Sequence, residues 1–209
     1  MGHNEYTVDM ESGPQTFIFA GKSGVGKGTQ GALLNNYLRD QAALTGSEFE
    51  LLYLETGQKF RSFMNGGTYA AKRAEEMIDR GGLLPAFLAV WNWTDSLNAK
   101  LKGTEHLIVD GTPRTIAEAQ SFDEALVFYG RTNPYFFYLE APDEIVTERL
   151  KERGRADDTP EAIVRRLAWF RDQVKPAVGL FRDNPKYRFV EIDSSGETED
   201  VHQAIISSL

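Results

Sequence analysis

The sequence has no cysteine among its 209 residues, and its three histidines, His3, His106 and His202, lie far apart. Disulfides, thiol catalysis and zinc-thiolate sites are therefore excluded, and no zinc is expected. The longest apolar stretches, such as residues 83–93, are too short and too interrupted to cross a bilayer. The net charge of −8 argues against a broad nucleic-acid-binding surface. A small-molecule partner is expected, with neither membrane nor nucleic acid.

Residues 1–14 are polar and contain no basic segment followed by an apolar one, so they do not resemble a signal peptide. We interpret them as a flexible N-terminal extension of a cytoplasmic protein. The remaining residues, 15–209, suffice for a single domain with a substantial core.

Strand-like and helix-like segments alternate along the chain, which is typical of a parallel sheet with crossover helices. About fifty residues separate the second predicted strand from the third and carry three helical segments, more than one crossover needs. A small helical subdomain is therefore expected there. Residues 160–183 are predicted as one helix, with Thr159 as its cap. The predicted strands are residues 16–20, 50–54, 106–110, 135–140 and 188–192.

The stretch GKSGVGKGTQ, residues 21–30, stands between an apolar strand and a helix-forming segment. Gly21, Gly24, Gly26 and Lys27 match the phosphate-binding loop G-x-x-x-x-G-K, in which glycines let successive backbone N–H groups converge on a phosphate. Lys27 is expected to reach the β- and γ-phosphates of a nucleoside triphosphate, and the helix dipole favours the same anion. The generic motif continues with Ser or Thr, whereas Gly28 and then Thr29 follow here.

This GKGTQ ending resembles the phosphate loop of adenylate kinases and their nucleoside monophosphate kinase relatives, and four later segments resemble the same family in the same order. The resemblance implies an α/β fold: a P-loop three-layer α/β/α domain with a five-stranded parallel sheet. It divides the chain into a core of residues 15–55 and 102–209, a helical monophosphate-binding insert of residues 56–101, and a very short lid at about residues 153–159. The implied ATP contacts are Gly21, Gly24, Val25, Gly26, Lys27, Gly28, Thr29, Arg149 and Arg153.

Two segments of the predicted insert resemble the acceptor site of the family. ETGQKFR, residues 55–61, is similar to Ser-Thr-Gly-Asp-x-x-Arg, although Gln58 replaces the Asp. It implies that Thr56 and Gly57 contact the acceptor nucleotide, and that Arg61 binds its phosphate through a planar, permanently charged guanidinium. MIDRGGLLPAFL, residues 77–88, implies that Gly81, Leu83 and Leu84 border the acceptor base, although the two leucines taken alone would more often belong to the hydrophobic core.

LIVDGTPRTIAEAQ, residues 107–120, resembles the Asp-Gly-Phe-Pro-Arg segment of the family. Asp110 ends an apolar strand, where a carboxylate can hold Mg²⁺ through water beside Thr29, or can merely cap a loop. The resemblance implies that Gly111 and Arg114 contact the acceptor, with Arg114 on its α-phosphate.

Two departures in this segment concern the acceptor base. Glu118 stands where adenylate kinases carry a Gln that reads adenine, and Thr112 replaces Phe. An ionised Glu only accepts hydrogen bonds, which suits the two N–H groups of guanine better than N1 of adenine. A protonated Glu, or one turned to solvent, restores adenine recognition. On the family pattern, AMP is the expected acceptor.

TERLKERGRADDTPEAIVRRL, residues 147–167, resembles the lid of the family. Residues 149–171 contain seven basic and four acidic residues, which by composition alone indicates a solvated charged face, whereas the motif order favours a phosphate-binding lid. Because Gly154 is followed directly by Arg155, no room remains for a zinc-binding insert. Asp157 and Asp158 either orient the lid arginines by ion pairing or cap the next helix. The implied phosphate ligands are Arg149, Arg153, Arg155 and Arg166.

The resemblance implies an enzyme that transfers a phosphoryl group reversibly from Mg²⁺-ATP to a nucleoside monophosphate, and that acts as a monomer. Such transfer needs positioning and charge neutralisation more than covalent chemistry. The implied catalytic residues are Lys27, Arg114, Arg149, Arg155 and Arg166. The alternatives are a UMP/CMP or GMP kinase, a P-loop kinase of a small metabolite, and a nucleotide-binding module that has lost catalysis.

Overall fold

The computed structural model of the protein describes residues 13–80, 82–155 and 157–209. Within these ranges five parallel strands form one sheet in the spatial order β2-β3-β1-β4-β5. The predicted five-stranded parallel sheet is confirmed, and no strand end differs from the prediction by more than one residue. The strands are β1 (Thr16–Gly21), β2 (Leu51–Glu55), β3 (His106–Asp110), β4 (Tyr135–Glu140) and β5 (Arg188–Asp193).

Helices connect the strands and cover both faces of the sheet. The first of them ends at Thr45 and is followed by Gly46, whose φ of 70° and N–H bond to the Ala42 carbonyl form a left-handed C-cap. None of the helices in the described ranges is long and apolar enough to span a bilayer. The helices are α1 (Lys27–Thr45), α2 (Thr56–Met64), α3 (Tyr69–Asp79), α4 (Ala86–Lys100), α5 (Ile116–Phe128), α6 (Asp143–Arg153), α7 (Pro160–Trp169), α8 (Lys175–Arg182) and α9 (Thr198–Ile206).

The stretch predicted as one helix over residues 160–183 contains a π-helical turn, Phe170–Val174, between α7 and α8. The backbone N–H of Lys175 bonds to the Phe170 carbonyl, five residues back instead of four. Pro176 follows at once, has no N–H, and its ring would clash with the carbonyl four residues earlier in an α-helix. The wider turn relieves this conflict, and the start of the helix at Pro160 with Thr159 as cap is as predicted.

The sheet carries a hydrophobic core on each face because successive strand side chains point in opposite directions. Phe17 and Phe19 of β1 pack on one face with Leu34 of α1. Ile18, between them, faces the other core, which contains Trp93 of α4. All five side chains are fully buried, and each contributes about 1.5 to 3 kcal/mol from burial. The result is the predicted three-layer α/β/α arrangement.

The strand order opens a crevice at the end of β1. Because β1 lies between β3 and β4, the chain leaves it toward one side of the sheet and later crosses to the other, and ligands of such sheets bind at the carboxyl ends of the strands near that point. Gly21 ends β1 with φ 141°, and a Cβ atom there would lie 2.4 Å from the Leu139 carbonyl oxygen. Only glycine fits this position, which delivers the following loop into the crevice.

Candidate active site

A cleft of about 1160 Å³ opens at the carboxyl ends of the strands. Its walls come from the loop after β1, the helices between β2 and β3, the loop after β3, and the region from α6 to α7. The predicted site residues that line this one cleft are Gly21, Gly24, Gly26, Lys27, Gly28, Thr29, Gly57, Arg61, Leu83, Leu84, Asp110, Gly111, Arg114, Glu118, Arg149, Arg153, Arg155 and Arg166.

The charge of the cleft differs in sign from that of the chain. Its described lining contains seven Lys and Arg side chains and five carboxylates, an excess of two positive charges, whereas the whole chain carries −8. A concave surface with clustered cations concentrates anions. The local charge therefore favours a polyanionic ligand.

The loop after β1 has the backbone geometry that a phosphate site requires. Gly24 and Gly26 have φ values of 84° and 103°, and Gly26 is the N-cap of α1, so the N–H groups at the start of this helix open into the cleft. The Lys27 ammonium donates to the carbonyl oxygens of Gly21 at 3.0 Å and Lys22 at 2.7 Å. Burial lowers the pKa of Lys27 from 10.5 to about 8, with Asp110 opposing the shift. A bound polyphosphate would favour the charged form.

Asp110 turns its carboxylate toward this loop from the end of β3. A Cβ atom at Gly28 would lie only 3.3 Å from Asp110 Oδ2, so the glycine in place of the generic Ser or Thr leaves space for the carboxylate. Burial raises the pKa of Asp110, while the positive charges of Lys27 and Arg114 oppose that rise.

The loop after β3 holds Arg114 in a fixed position. Its Nε donates to the Gly111 carbonyl at 2.6 Å, and its backbone N–H donates to Glu118 Oε2 at 2.8 Å. The Thr112 hydroxyl donates to Glu118 Oε1 at 2.9 Å. Glu118 is only 1 % exposed, and both of its oxygens accept hydrogen bonds from this loop. Burial raises the pKa of Glu118, although these hydrogen bonds and Arg114 oppose the rise.

Two of the four lid arginines, Arg153 and Arg166, pair with one buried carboxylate. Asp158, whose side chain is 1 % exposed, accepts two hydrogen bonds from Arg153 at 2.8 and 2.9 Å and one from Arg166 Nη1 at 2.7 Å. Arg166 also pairs with Asp157, whose side chain is 47 % exposed. Burial raises the pKa of Asp158, but the hydrogen bonds from Arg153 and Arg166 outweigh burial and hold the pKa below its usual value. Of the two expectations for this pair, ion pairing with the arginines is the one observed.

Arg149 is fixed by backbone oxygens at the end of β5. Its guanidinium donates to the carbonyls of Ser194 at 2.6 Å and Gly196 at 3.0 Å. The Ser194 hydroxyl in turn donates to the Val25 carbonyl at 2.7 Å. The phosphate loop and α6 are thereby tied to the same turn.

Comparison with known proteins assigns this architecture to a family. The family model described as adenylate kinase matches residues 19–186. The adenylate kinase of Corynebacterium glutamicum strain R is 29% identical over 192 residues, which make up 92% of this chain and 97% of the relative. That of Oenococcus oeni is 31% identical over 192 residues, covering 91% of this chain and 95% of the relative.

The chain belongs to the adenylate kinase family. As such it is a nucleoside monophosphate kinase, an ATP-binding transferase. A third relative, the adenylate kinase of Prochlorococcus marinus strain MIT 9515, is 29% identical over 184 residues, covering 87% of this chain and 92% of the relative.

Two predicted site residues of this adenylate kinase homologue lie behind the wall of the cleft. Val25 is fully buried, and Thr56 is 1 % exposed with its hydroxyl donating to the Asp110 carbonyl at 3.2 Å. Gly81, predicted beside the acceptor base, lies outside the described residues. The roles assigned to the residues that do line the cleft stay predictions.

Three parts of the site were missed by the sequence analysis. Glu55 lines the cleft and pairs with Arg61. It is the first residue of the ETGQKFR segment, and the family pattern has Ser at this position. Tyr53 lines the cleft from β2, close to Gly31 of α1. The turn that contains Ser194 directly follows β5, and its place at the carboxyl edge of the sheet could have marked it.

Proposed function

We propose that this protein catalyses the reversible Mg²⁺-dependent reaction ATP + AMP = 2 ADP. The observation that carries the proposal is the convergence of two anion-binding groups in one cleft: the phosphate loop with Lys27 on one side, and Arg61 with Arg114 on the other. The relatives named adenylate kinase support AMP as the acceptor.

In the proposed reaction the phosphate loop binds the ATP phosphates through the N–H groups at the start of α1. The Lys27 ammonium leaves its two loop carbonyls and binds the phosphate oxygens. Arg114, already held by Gly111 and Glu118, binds the phosphate of AMP. The two bound anions are thus held in line. Their binding energy offsets the entropy that bringing them together costs.

The surroundings of Asp110 fit Mg²⁺ held through water. The residue offers a half-buried carboxylate that faces Gly28, and Mg²⁺ prefers carboxylate and water oxygens. No group of three or more His, Cys, Asp or Glu able to hold a metal occurs in the parts of the chain that the structure describes. When bound with ATP, the ion neutralises charge on the phosphates.

The lid arginines stabilise the transferring phosphoryl group in this proposal. Asp158 holds Arg153 and Arg166 side by side, so their positions are set before the substrates bind. Preorganised charges that do not have to reorient during the reaction are the most effective kind. The attacking phosphate oxygen of AMP is already ionised near neutral pH, so no general base is required.

The proposal also takes the protein as a cytoplasmic monomer with small nucleotides as its partners. The net charge of −8 and the local positive charge of the cleft support small anions over nucleic acid.

The experiment that tests this function is product analysis with five acceptors. Purified protein is incubated with Mg²⁺-ATP and AMP, GMP, CMP, UMP or dTMP separately, and the nucleotides are resolved by chromatography. Rapid ADP formation with AMP is expected. Turnover with UMP and CMP alone would reassign the acceptor, and silence with all five would leave a small-metabolite kinase or a binding module that has lost catalysis.

GMP is the second candidate acceptor, because Glu118 offers only hydrogen-bond acceptors when ionised. We predict that Glu118→Gln raises the ratio of kcat/KM for AMP over GMP roughly tenfold, the value of about one hydrogen bond. Glutamine can keep both loop contacts by accepting from the Arg114 N–H and donating to Thr112. Steady-state kinetics with both acceptors give the ratio, and Glu124→Gln, on the exposed side of α5, is the matched control. An unchanged ratio would show that Glu118 does not read the base.

A further inference from the structure

Glu55 is an acidic side chain inside the predicted acceptor half of the cleft. It ends β2, and its Cα is the register partner of Asp110 at the end of β3. Both residues line the cleft, and burial raises the pKa of Asp110, with the negative charge of Glu55 adding to that rise. Glu55 therefore adds negative charge where an anionic acceptor is expected.

The Glu55 carboxylate pairs with the arginine predicted to bind the acceptor phosphate. Its Oε1 accepts a hydrogen bond from Arg61 Nη2 at 3.0 Å, and both side chains are about 40 % exposed to the cleft, at 37 % and 45 %. Glu55 occupies the N-cap position of α2 but makes no side-chain capping bond there. Its observed polar contact is thus with Arg61 and not with the start of the helix.

Arg61 in turn belongs to the same cluster of positive charge as Arg114. Burial lowers the pKa of Arg114, and the positive charge of Arg61 adds to that effect, so the two guanidinium groups are close enough to repel each other. A phosphate held by both would satisfy them together. In the structure one of them is held by a carboxylate instead.

We propose that Glu55 is the resident counter-ion of Arg61 and that the acceptor phosphate must displace it. The proposal rests on the function proposed above, in which Arg61 binds the phosphate of AMP. A half-exposed ion pair is weak, so Arg61 is released readily. The larger effect is that the displaced carboxylate stays near a doubly charged phosphate and repels it. Glu55 thereby weakens acceptor binding and discriminates against phosphate charge.

The experiment is calorimetric titration of the protein with AMP and, separately, with adenosine. Glu55→Gln removes the charge at constant shape, and Glu55→Ser is a second variant with a smaller side chain. We expect both to bind AMP roughly 5- to 20-fold more tightly than the wild type, as for the loss of a screened like charge at the edge of a site. Adenosine has no phosphate, so its dissociation constant should change less than twofold, and the gain for AMP should shrink at high salt.

Two comparisons separate this inference from a general change in the site. Arg61→Ala should weaken AMP binding, and adding Glu55→Gln to Arg61→Ala should still tighten it, by slightly less than Glu55→Gln does alone, because the repulsion of the phosphate remains while the weak ion pair is gone. Glu76→Gln removes a similar half-exposed partner, that of Arg73 on α3, outside the cleft, and should leave AMP affinity unchanged.

The outcomes are distinguishable. If the wild type binds AMP and Arg61→Ala weakens it, but neither Glu55 variant binds AMP more tightly, the counter-ion inference is wrong while the proposed function stands. A parallel gain for adenosine would also overturn it, because the effect would then not act on the phosphate. If no monophosphate binds, or if Arg61→Ala changes nothing, the proposed acceptor site and the inference both fail.

Discussion

Replacement of Lys27 by methionine is expected to lower kcat roughly a hundred- to a thousandfold, the usual effect of removing one positioned donor from a developing negative charge. The Lys27 ammonium lies within the loop, where it donates to the carbonyl oxygens of Gly21 and Lys22. Methionine keeps the length of the side chain but supplies no charge. The measurement is the steady-state rate of ADP formation from ATP and AMP.

The same variant should remain folded, and the sign of its effect on stability follows from the pKa. Burial lowers the pKa of Lys27 to about 8, so between pH 8 and pH 10.5 the unfolded chain binds more protons than the folded one. Below pH 8 the buried charge costs the wild type stability in full, and the cost disappears as the pH rises toward 10.5. Methionine never carries that cost, although it loses two hydrogen bonds. We expect a melting temperature at pH 7 equal to or above that of the wild type, with the difference smallest near pH 10.

Lys102→Met is the matched control, because Lys102 is exposed and pairs with Glu50 away from the cleft. It should retain the rate of the wild type. A folded Lys27→Met protein with a rate within tenfold of the wild type would mean that this lysine is not the phosphate-binding residue of the loop.

Asp158→Asn is expected to lower kcat/KM roughly tenfold to a hundredfold, by releasing two lid arginines at once. Asp158 is nearly inaccessible to solvent and accepts from Arg153, Arg166 and the Arg155 N–H. Asparagine has one oxygen fewer to accept these bonds and no charge, so both arginines lose the buried charge that holds them. Kinetics with both substrates varied measure the loss.

Asp157→Asn provides a matched control on the neighbouring residue, which is half exposed and pairs with Arg166 alone among the lid arginines described. Its effect should be no more than threefold, as for a solvent-screened pair. Equal losses in the two variants would contradict the positioning role of Asp158.

Because the pKa of Asp158 is lowered in the folded protein, its contribution to stability is present above pH 4 and is lost as the pH falls below that value.

Local sequence patterns predicted the features of this fold that depend on neighbouring residues. The phosphate loop joins β1 to α1 within a few residues, and its glycines have the positive φ values that the motif requires. Strand positions followed from apolar runs because both faces of a parallel sheet are buried. The membership in the adenylate kinase family, expected from five ordered motifs, is confirmed by the family model.

Features that depend on contacts made only in the folded chain could not be predicted in this way. The conflict at Pro176 is local, but the π-helical turn that relieves it also keeps Phe170 before the proline and Phe181 after it in the same hydrophobic core. The partners of the cleft arginines could not be predicted either. The motifs indicated the arginines, but which carboxylates and carbonyls they contact depends on the three-dimensional structure. Arg61 meets Glu55 six residues away, and Arg149 meets carbonyls forty-five residues or more away.

The central claim, that both halves of the cleft take adenine nucleotides, is tested most directly with ADP alone. Purified protein is incubated with Mg²⁺ and ADP, and the products are separated by chromatography, with Lys27→Met as the blank. We expect ATP and AMP in equal amounts, because one ADP occupies each half of the cleft. AMP with inorganic phosphate but no ATP, or ADP left unchanged by a protein that binds it, would show that the protein does not transfer a phosphoryl group between two bound ADP molecules.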